Sequence, residues 1–380
     1  MLSRQIRYCL DVNGKLDLKN SLVAHDLENP DVPHSAVGMI TAGLRRRRLR
    51  GVGGVTVMSC DNLPGNGDLS GMMVMGFLAA LGDEALTAWV EANVTFPNTM
   101  VDRITPVTKD EHKELVKVTH GIEDDWPVIA EDYTQWVIEE KFSCGRPRWD
   151  LVGALMVDNV HPYEMMKLRL LNAGHSAISY ISYLAGHRFV DVAMSEPAIE
   201  KFCRLYFEEF SMTVPPVPGV DLEDYKAQLI KRFSNPYIKD TLLRLAEDGS
   251  QKLVTTMRDS TLENAAAGRP VRIFCLVVAS WLRFLVGVDT EGCPIEGCKD
   301  PRLEELQAMA QAILKPDPAG PICAPAEPPV EFLRTVFGDA IAECQSVLDG
   351  VQEWLCRLVE TSAKEVLTEL ASGSDLFLQG

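Results

Sequence analysis

A lysine, an asparagine and a histidine interrupt an otherwise apolar run, KLRLLNAGHSAISYISYLAG, between Lys167 and Gly186. Asp158, Asn159 and Pro162 are helix-start signals and Gly186 is a stop, so the spacing predicts one helix of about six turns. At about 100° per residue Lys167, Asn172 and His175 fall within an arc of about 140°, and they span about 12 Å of axis. A lysine leaning along that row, an amide and an imidazole suit an extended, polyhydroxylated substrate. The plainer alternative is a solvated Lys167 paired with Glu164 one turn earlier, and a satisfied core histidine at 175.

Two further stretches carry polar groups where they are costly without partners. SCDNLPGNG, residues 59–67, ends a strand-like run with Asp61 and Asn62 at its carboxyl end, the edge at which open α/β sheets bind ligands. VTFPNTMVDRITP, residues 94–106, sets Asn98, Asp102 and Arg103 among apolar residues and two prolines. Asn62 as a turn residue, and Asp102 as a buried ion pair with Arg103, are equally open readings.

These groups have to be positioned by 380 residues, 46% of them hydrophobic, enough for two domains with a core each. Up to about residue 160 the runs alternate: GGVTVMSC reads as a buried strand, LSGMMVMGFLAALGDEALTAWVEAN as a helix and EDYTQWVIEE as a strand. Beyond Pro162 amphipathic runs such as AIEKFCRLYFEEFSM, EDYKAQLIKRF and AAAGRPVRIFCLVVASWLRFLVG dominate, and the last helices run from about Val330 to Ala371. The expected fold is a partial Rossmann-like α/β domain over 1–160 followed by a mostly α-helical domain over 161–380. KPDPAGPICAPAEPP is a proline-rich connector.

A net charge of −17 argues against nucleic acid or an anionic membrane as partner. RRRRLR, residues 45–50, is read as cations at a helix C-terminus, or else as an anion contact. No apolar run reaches the ~20 residues of a membrane span and the N-terminus has no signal-like apolar core, so a cytoplasmic location is expected. The ten cysteines form no CxxC pair and are read as buried thiols. No His/Cys/carboxylate set has zinc spacing, and no metal is expected.

SCDNLPGNG, TFPNTMVDRITP, HPYEMMKLRLLNAGHSAISYISYLAG and RFSNPYIKDTLLRLAEDGSQKL together resemble the mannitol dehydrogenase family of long-chain, metal-independent polyol dehydrogenases and uronate reductases. The resemblance runs from about Tyr8 to the C-terminal helices, and Lys-x4-Asn-x2-His at 167, 172 and 175 matches the family's catalytic signature. It implies NAD or NADP as cofactor and a small polyol or sugar acid as substrate, with no nucleic-acid or membrane partner. It implies Lys167 as the general base, with Asn172 and Asn62 donating to the developing alkoxide or carbonyl oxygen. His175 and Asp102 would hold hydroxyls or orient the lysine. Arg244 and Lys252 would anchor substrate or cofactor, although surface ion pairing suits them as well. Burial among Met165, Met166, Leu170 and Leu171 would disfavour the charged lysine and suit it to act as a base.

One departure stands out. The family carries a glycine-rich turn after its first strand. Here GVGGV, residues 51–55, precedes a strand, and in GNGDLSG, residues 65–71, Ser70 breaks the GxGxxG spacing. The expectation is therefore a chain that begins within the cofactor domain, near RYCLDVNGKLDL. The enzymatic readings are a polyol dehydrogenase or a fructuronate/mannonate-type uronate reductase, and the non-enzymatic one is a truncated, non-catalytic remnant.

Overall fold

The computed structural model describes residues 9–11, 14–314 and 322–373. The chain divides into two compact units, one formed by the chain up to Ile104 with Glu131–Glu164, the other by Thr105–Ala130 with the chain from Met165 onward.

The first unit opens with α1 (Ser21–Glu28) and α2 (Ala36–Leu49). Asn20 caps α1 through its side-chain oxygen and Ser35 caps α2, each satisfying amides that a helix start leaves orphaned. Arg46, Arg47 and Arg48 fill the last turn of α2, as the arginine run predicts, and Arg47 donates to the carbonyls of Gly53 and Gly54. Then follow β1 (Val55–Thr56), α3 (Asn66–Leu81), α4 (Glu84–Asn93), β2 (Val94–Thr95) and β3 (Thr99–Asp102). The expected single helix over 69–93 is two. Gly82 takes a left-handed conformation at φ +68° and Asp83 caps the next helix through Leu86 N, so the pair ends one helix and starts another. The expected strand GGVTVMSC is also shorter than its apolar pattern. Only Val55 and Thr56 pair, in parallel with Val94 and Thr95, and both are half-buried. The chain then leaves the ladder, and the Thr99 hydroxyl takes the Ser59 carbonyl at 2.6 Å. β4 (Gln135–Glu139) runs antiparallel to β3 and parallel to β5 (Leu155–Val157). Val23, Val37, Met73, Val74, Phe77, Leu78 and Leu86 form the core beneath.

The second unit is helical, as the sequence predicts. It contains α5 (Asp110–His120), while α6 (His161–Met166) straddles the division between the units. A π-helical turn over Lys167–Asn172 leads into α7 (Ala173–Leu184). Then come α8 (Val190–Met194), α9 (Pro197–Ser211), α10 (Leu222–Phe233), α11 (Leu242–Ala246), α12 (Gly249–Ala266) and α13 (Arg272–Leu285). The chain closes with α14 (Leu303–Leu314), α15 (Val330–Phe337), α16 (Asp339–Ala342), α17 (Gln345–Glu360) and α18 (Ala363–Ala371). Every residue of α13 from Ile273 to Leu285 is buried, the mark of a helix surrounded by others. It packs against α7 and α17, where Gly350 lets the backbone close on Cys275: a Cβ there would lie 2.7 Å from the sulfur.

The cysteines correct the sequence reading. Cys9, Cys203 and Cys275 are buried, but Cys60, Cys144, Cys293 and Cys323 are exposed. Those four lie in connecting segments, where an apolar neighbour in sequence does not bring burial. Residues 315–321 of the proline-rich connector, and Arg7, Tyr8, Val12 and Asn13 of RYCLDVNGKLDL, lie outside the described residues. Among the described residues no helix is long and apolar enough to cross a membrane.

Candidate active site

The first unit joins two of the sequence stretches through buried amides. Asn66, at the start of α3, donates to the carbonyls of Asp61 and Thr99 at 2.8 and 2.9 Å, and its oxygen accepts the Thr99 amide at 2.9 Å. Asn98 accepts the amides of Gly67 and Asp68 at 2.8 and 3.0 Å, while its own backbone amide donates to Glu139 of β4 at 3.0 Å. The loop that carries Asp61 and Asn62 is thereby tied to β3, whose last residue is Asp102. Asn62 is exposed and Asp102 is 4% exposed. The Arg103 guanidinium, offered above as the partner of Asp102, donates through Nε to the Glu131 carbonyl. Asp61 keeps one carboxylate oxygen, Oδ2, buried with no donor among the described residues.

Gly67 makes this junction possible. A Cβ there would lie 2.2 Å from the Pro97 carbonyl oxygen and 2.7 Å from the Asn98 nitrogen, both backbone atoms. Gly67→Ala is therefore expected to destabilise the fold by about 1–3 kcal/mol. Gly43, helical and with nothing within 4 Å, is the control. Its alanine variant should gain about 0.5–1 kcal/mol. Denaturant midpoints check both, and an unshifted midpoint for Gly67→Ala would contradict the packing argument.

The same network answers whether GNGDLSG cradles a dinucleotide. The amides of Gly65, Gly67 and Asp68 point into side chains: Gly65 N donates to Glu164 Oε1 at 2.9 Å and the other two to Asn98. This helix N-terminus is filled from within the protein, and a cofactor's pyrophosphate does not fit there. Glu164 was absent from the sequence candidates except as an ion partner for Lys167. Burial raises its carboxyl above the ordinary range, against the opposing pull of Gly65 N–H and His161. Its position three residues before Lys167 was the available signal.

In the second unit Lys167, Asn172 and His175 share one helix, but not the regular wheel assumed from sequence. Lys167 to Asn172 is π-helical, and the Ala173 amide reaches back to the Leu168 carbonyl, five residues away. A π turn leaves carbonyls without their usual partners, and the Tyr206 hydroxyl of α9 takes that of Arg169. The Arg169 side chain is anchored by Glu263, at 2.7 Å, and by the Thr213 carbonyl. Lys167 is only 6% exposed, which rules out the solvated lysine. His175 is half-buried with its ring 4.3 Å from that of Phe233. The Arg244 guanidinium is exposed and paired with Asp240 through both of its ends, the surface ion pair considered above. Lys252 donates to the Leu245 carbonyl at 3.3 Å, and burial lowers its pKa from the ordinary lysine value.

The chain thus combines a short-stranded α/β unit with a helical unit that buries a lysine on a π-distorted helix. The family model described as the mannitol dehydrogenase Rossmann domain matches residues 13–151, and that of the mannitol dehydrogenase C-terminal domain matches 159–320. Mannitol dehydrogenase DSF1 of Saccharomyces cerevisiae is 42% identical over 290 residues, 76% of this chain and 58% of its own length. D-mannonate oxidoreductase of Escherichia coli is 39% identical over 365 residues, covering 96% of this chain and 73% of its own. Among solved structures, Pseudomonas fluorescens mannitol 2-dehydrogenase in ternary complex with NAD and D-mannitol matches with a TM-score of 0.76 and 38% identity, over 96% of this chain and 72% of that one. The chain belongs to the mannitol dehydrogenase family of oxidoreductases. It spans 58% of the length of the yeast relative.

Proposed function

We propose that this chain contributes the substrate-binding and proton-transfer machinery of an NAD(P)-dependent oxidoreductase that interconverts a mannitol-like polyol and its ketose. The observation that carries the reading is the buried Lys167 at the head of the π turn, on one helix with Asn172 and His175. In this reading residues 1–160 are the remainder of the dinucleotide-binding half and 161–380 the substrate half. The alcohol loses a hydride from carbon and a proton from oxygen. Bound NAD(P) supplies the hydride acceptor, held by groups other than the filled N-terminus of α3. Lys167 Nζ, in its unprotonated form, accepts the proton. The amides of Asn172 and Asn62 donate to the oxygen as it gains charge. His175 and Asp102 hold neighbouring hydroxyls or orient the lysine, and Arg244 and Lys252 anchor the far end of substrate or the cofactor.

A uronate reductase is the second reading, favoured by the 39% identity to D-mannonate oxidoreductase, whose sugar-acid chemistry calls for a cation opposite the carboxylate. Arg244 is committed to Asp240, so Lys252 is the better placed of the two. The test is oxidation of NADH and NADPH with D-fructose and with D-fructuronate. A kcat/KM for fructose higher by about 100-fold supports the polyol reading, the reverse ratio selects the uronate reading, and turnover of neither with either cofactor would overturn both.

A further inference from the structure

His25 and His34 stand on either side of the turn 29–33, in the first unit, outside every stretch discussed above. The turn is fixed: Asn29 Nδ2 donates to the His25 carbonyl at 3.0 Å and Val32 N to the Asn29 carbonyl at 3.1 Å. It folds the two imidazoles into a stack, with centroids 4.0 Å apart and planes within 8°. A nitrogen from each ring and a carboxylate oxygen of Asp26 lie within 4.8 Å of one another.

Asp26 is fully buried, and its lone pairs are committed. Oδ2 accepts the Ser35 amide at 2.7 Å and the Ser35 hydroxyl at 2.6 Å, while Oδ1 accepts the His34 amide at 2.7 Å and faces His25 Nδ1 at 3.0 Å. A carboxylate only accepts, so Nδ1 of His25 carries the hydrogen and Nε2 keeps the lone pair, on a side chain 35% exposed. A carboxylate behind the far nitrogen is the outer-shell arrangement that fixes the tautomer of a metal-binding histidine and raises its basicity.

We propose that His25 and His34 form a two-imidazole site for a late first-row divalent cation such as nickel, copper or zinc, with Asp26 as the outer-shell group that holds His25. One ion cannot lie in the planes of two parallel rings. Exposed His34 therefore swings out of the stack on binding, while His25 stays held by Asp26 and water fills the remaining positions. Imidazole nitrogens select these cations over magnesium and calcium, which take oxygen ligands. The net charge of −17 favours cation approach.

The experiment is calorimetric titration of the intact chain with NiCl2. The expected result is one ion bound per chain, with His25→Gln and His34→Gln each weakening it at least ~10-fold while His112→Gln leaves it unchanged. Carbethoxylation of the unaltered chain is an independent readout: nickel should protect His25 and His34 and not exposed His161. No nickel binding, affinity unchanged in both stack variants, or no protection of the pair would overturn the proposal.

Discussion

Replacing Lys167 with alanine is expected to lower turnover roughly a hundredfold to ten-thousandfold in any form of the protein that oxidises polyol, which is what a positioned acid-base group contributes. The loss should fall on kcat more than on KM, because the proton moves in the transition state. The π turn is held from other residues, by the Tyr206 hydroxyl on the Arg169 carbonyl and by the Arg169–Glu263 pair. The helix should therefore survive the change. Lys167→Met, which refills the buried volume, separates chemistry from packing. If lysine is the base, both variants lose turnover and the methionine variant keeps the parent's thermal midpoint. Turnover of either variant within a few-fold of the parent would remove Lys167 from the mechanism.

What the sequence made legible follows from how local each signal is. The amphipathic runs that became α9 and α10 announce themselves within a few turns, because period-3.6 burial is written into neighbouring residues. The π turn is invisible at that range. KLRLLN has the composition of an ordinary helix, and the group that takes the Arg169 carbonyl is a tyrosine 37 residues later. The loop carrying Asn62 was found by its polar residues in an apolar frame, but the side chains that pin it, Asn66 and Asn98, act across 33 and 31 residues. One glycine misled: Gly82 looked like a helix interior although it ends α3. Gly65-x-Gly67, set aside as a phosphate turn because Ser70 breaks the spacing, has its second glycine for a close backbone approach. His25 and His34 match no metal-ligand spacing. Only the turn between them, with Asp26 behind, brings the rings together.

Stability should fall as pH rises toward neutrality, through Glu209 of α9. Its carboxylate caps the buried start of α13, accepting the amides of Ile273 and Phe274 at 2.9 Å each. Burial favours its protonated form, while the two amides and nearby Arg272 favour the charged one. Burial wins, and the carboxyl is pushed up to about 7 from an ordinary 4.5. The sign follows from proton counting. Below about pH 4.5 folded and unfolded chains both carry the proton, so the full contribution is present. Between 4.5 and about 7 the folded chain keeps a proton that the unfolded chain has released, and stability drops with each step in pH. Above about 7 neither form holds it and the loss is complete, on the order of 3 kcal/mol for a gap of this size. Glu209→Gln cannot titrate. It should lose about 1–3 kcal/mol at every pH, because an amide N–H replaces one acceptor opposite a backbone amide. Its stability should change less than the parent's between pH 5 and pH 8. Urea unfolding followed by fluorescence of buried Trp281 and Trp354, at those two pH values, measures the difference between the two proteins. Equal pH dependence in parent and variant would show that Glu209 is already ionised at pH 5, with the two amides and Arg272 outweighing its burial.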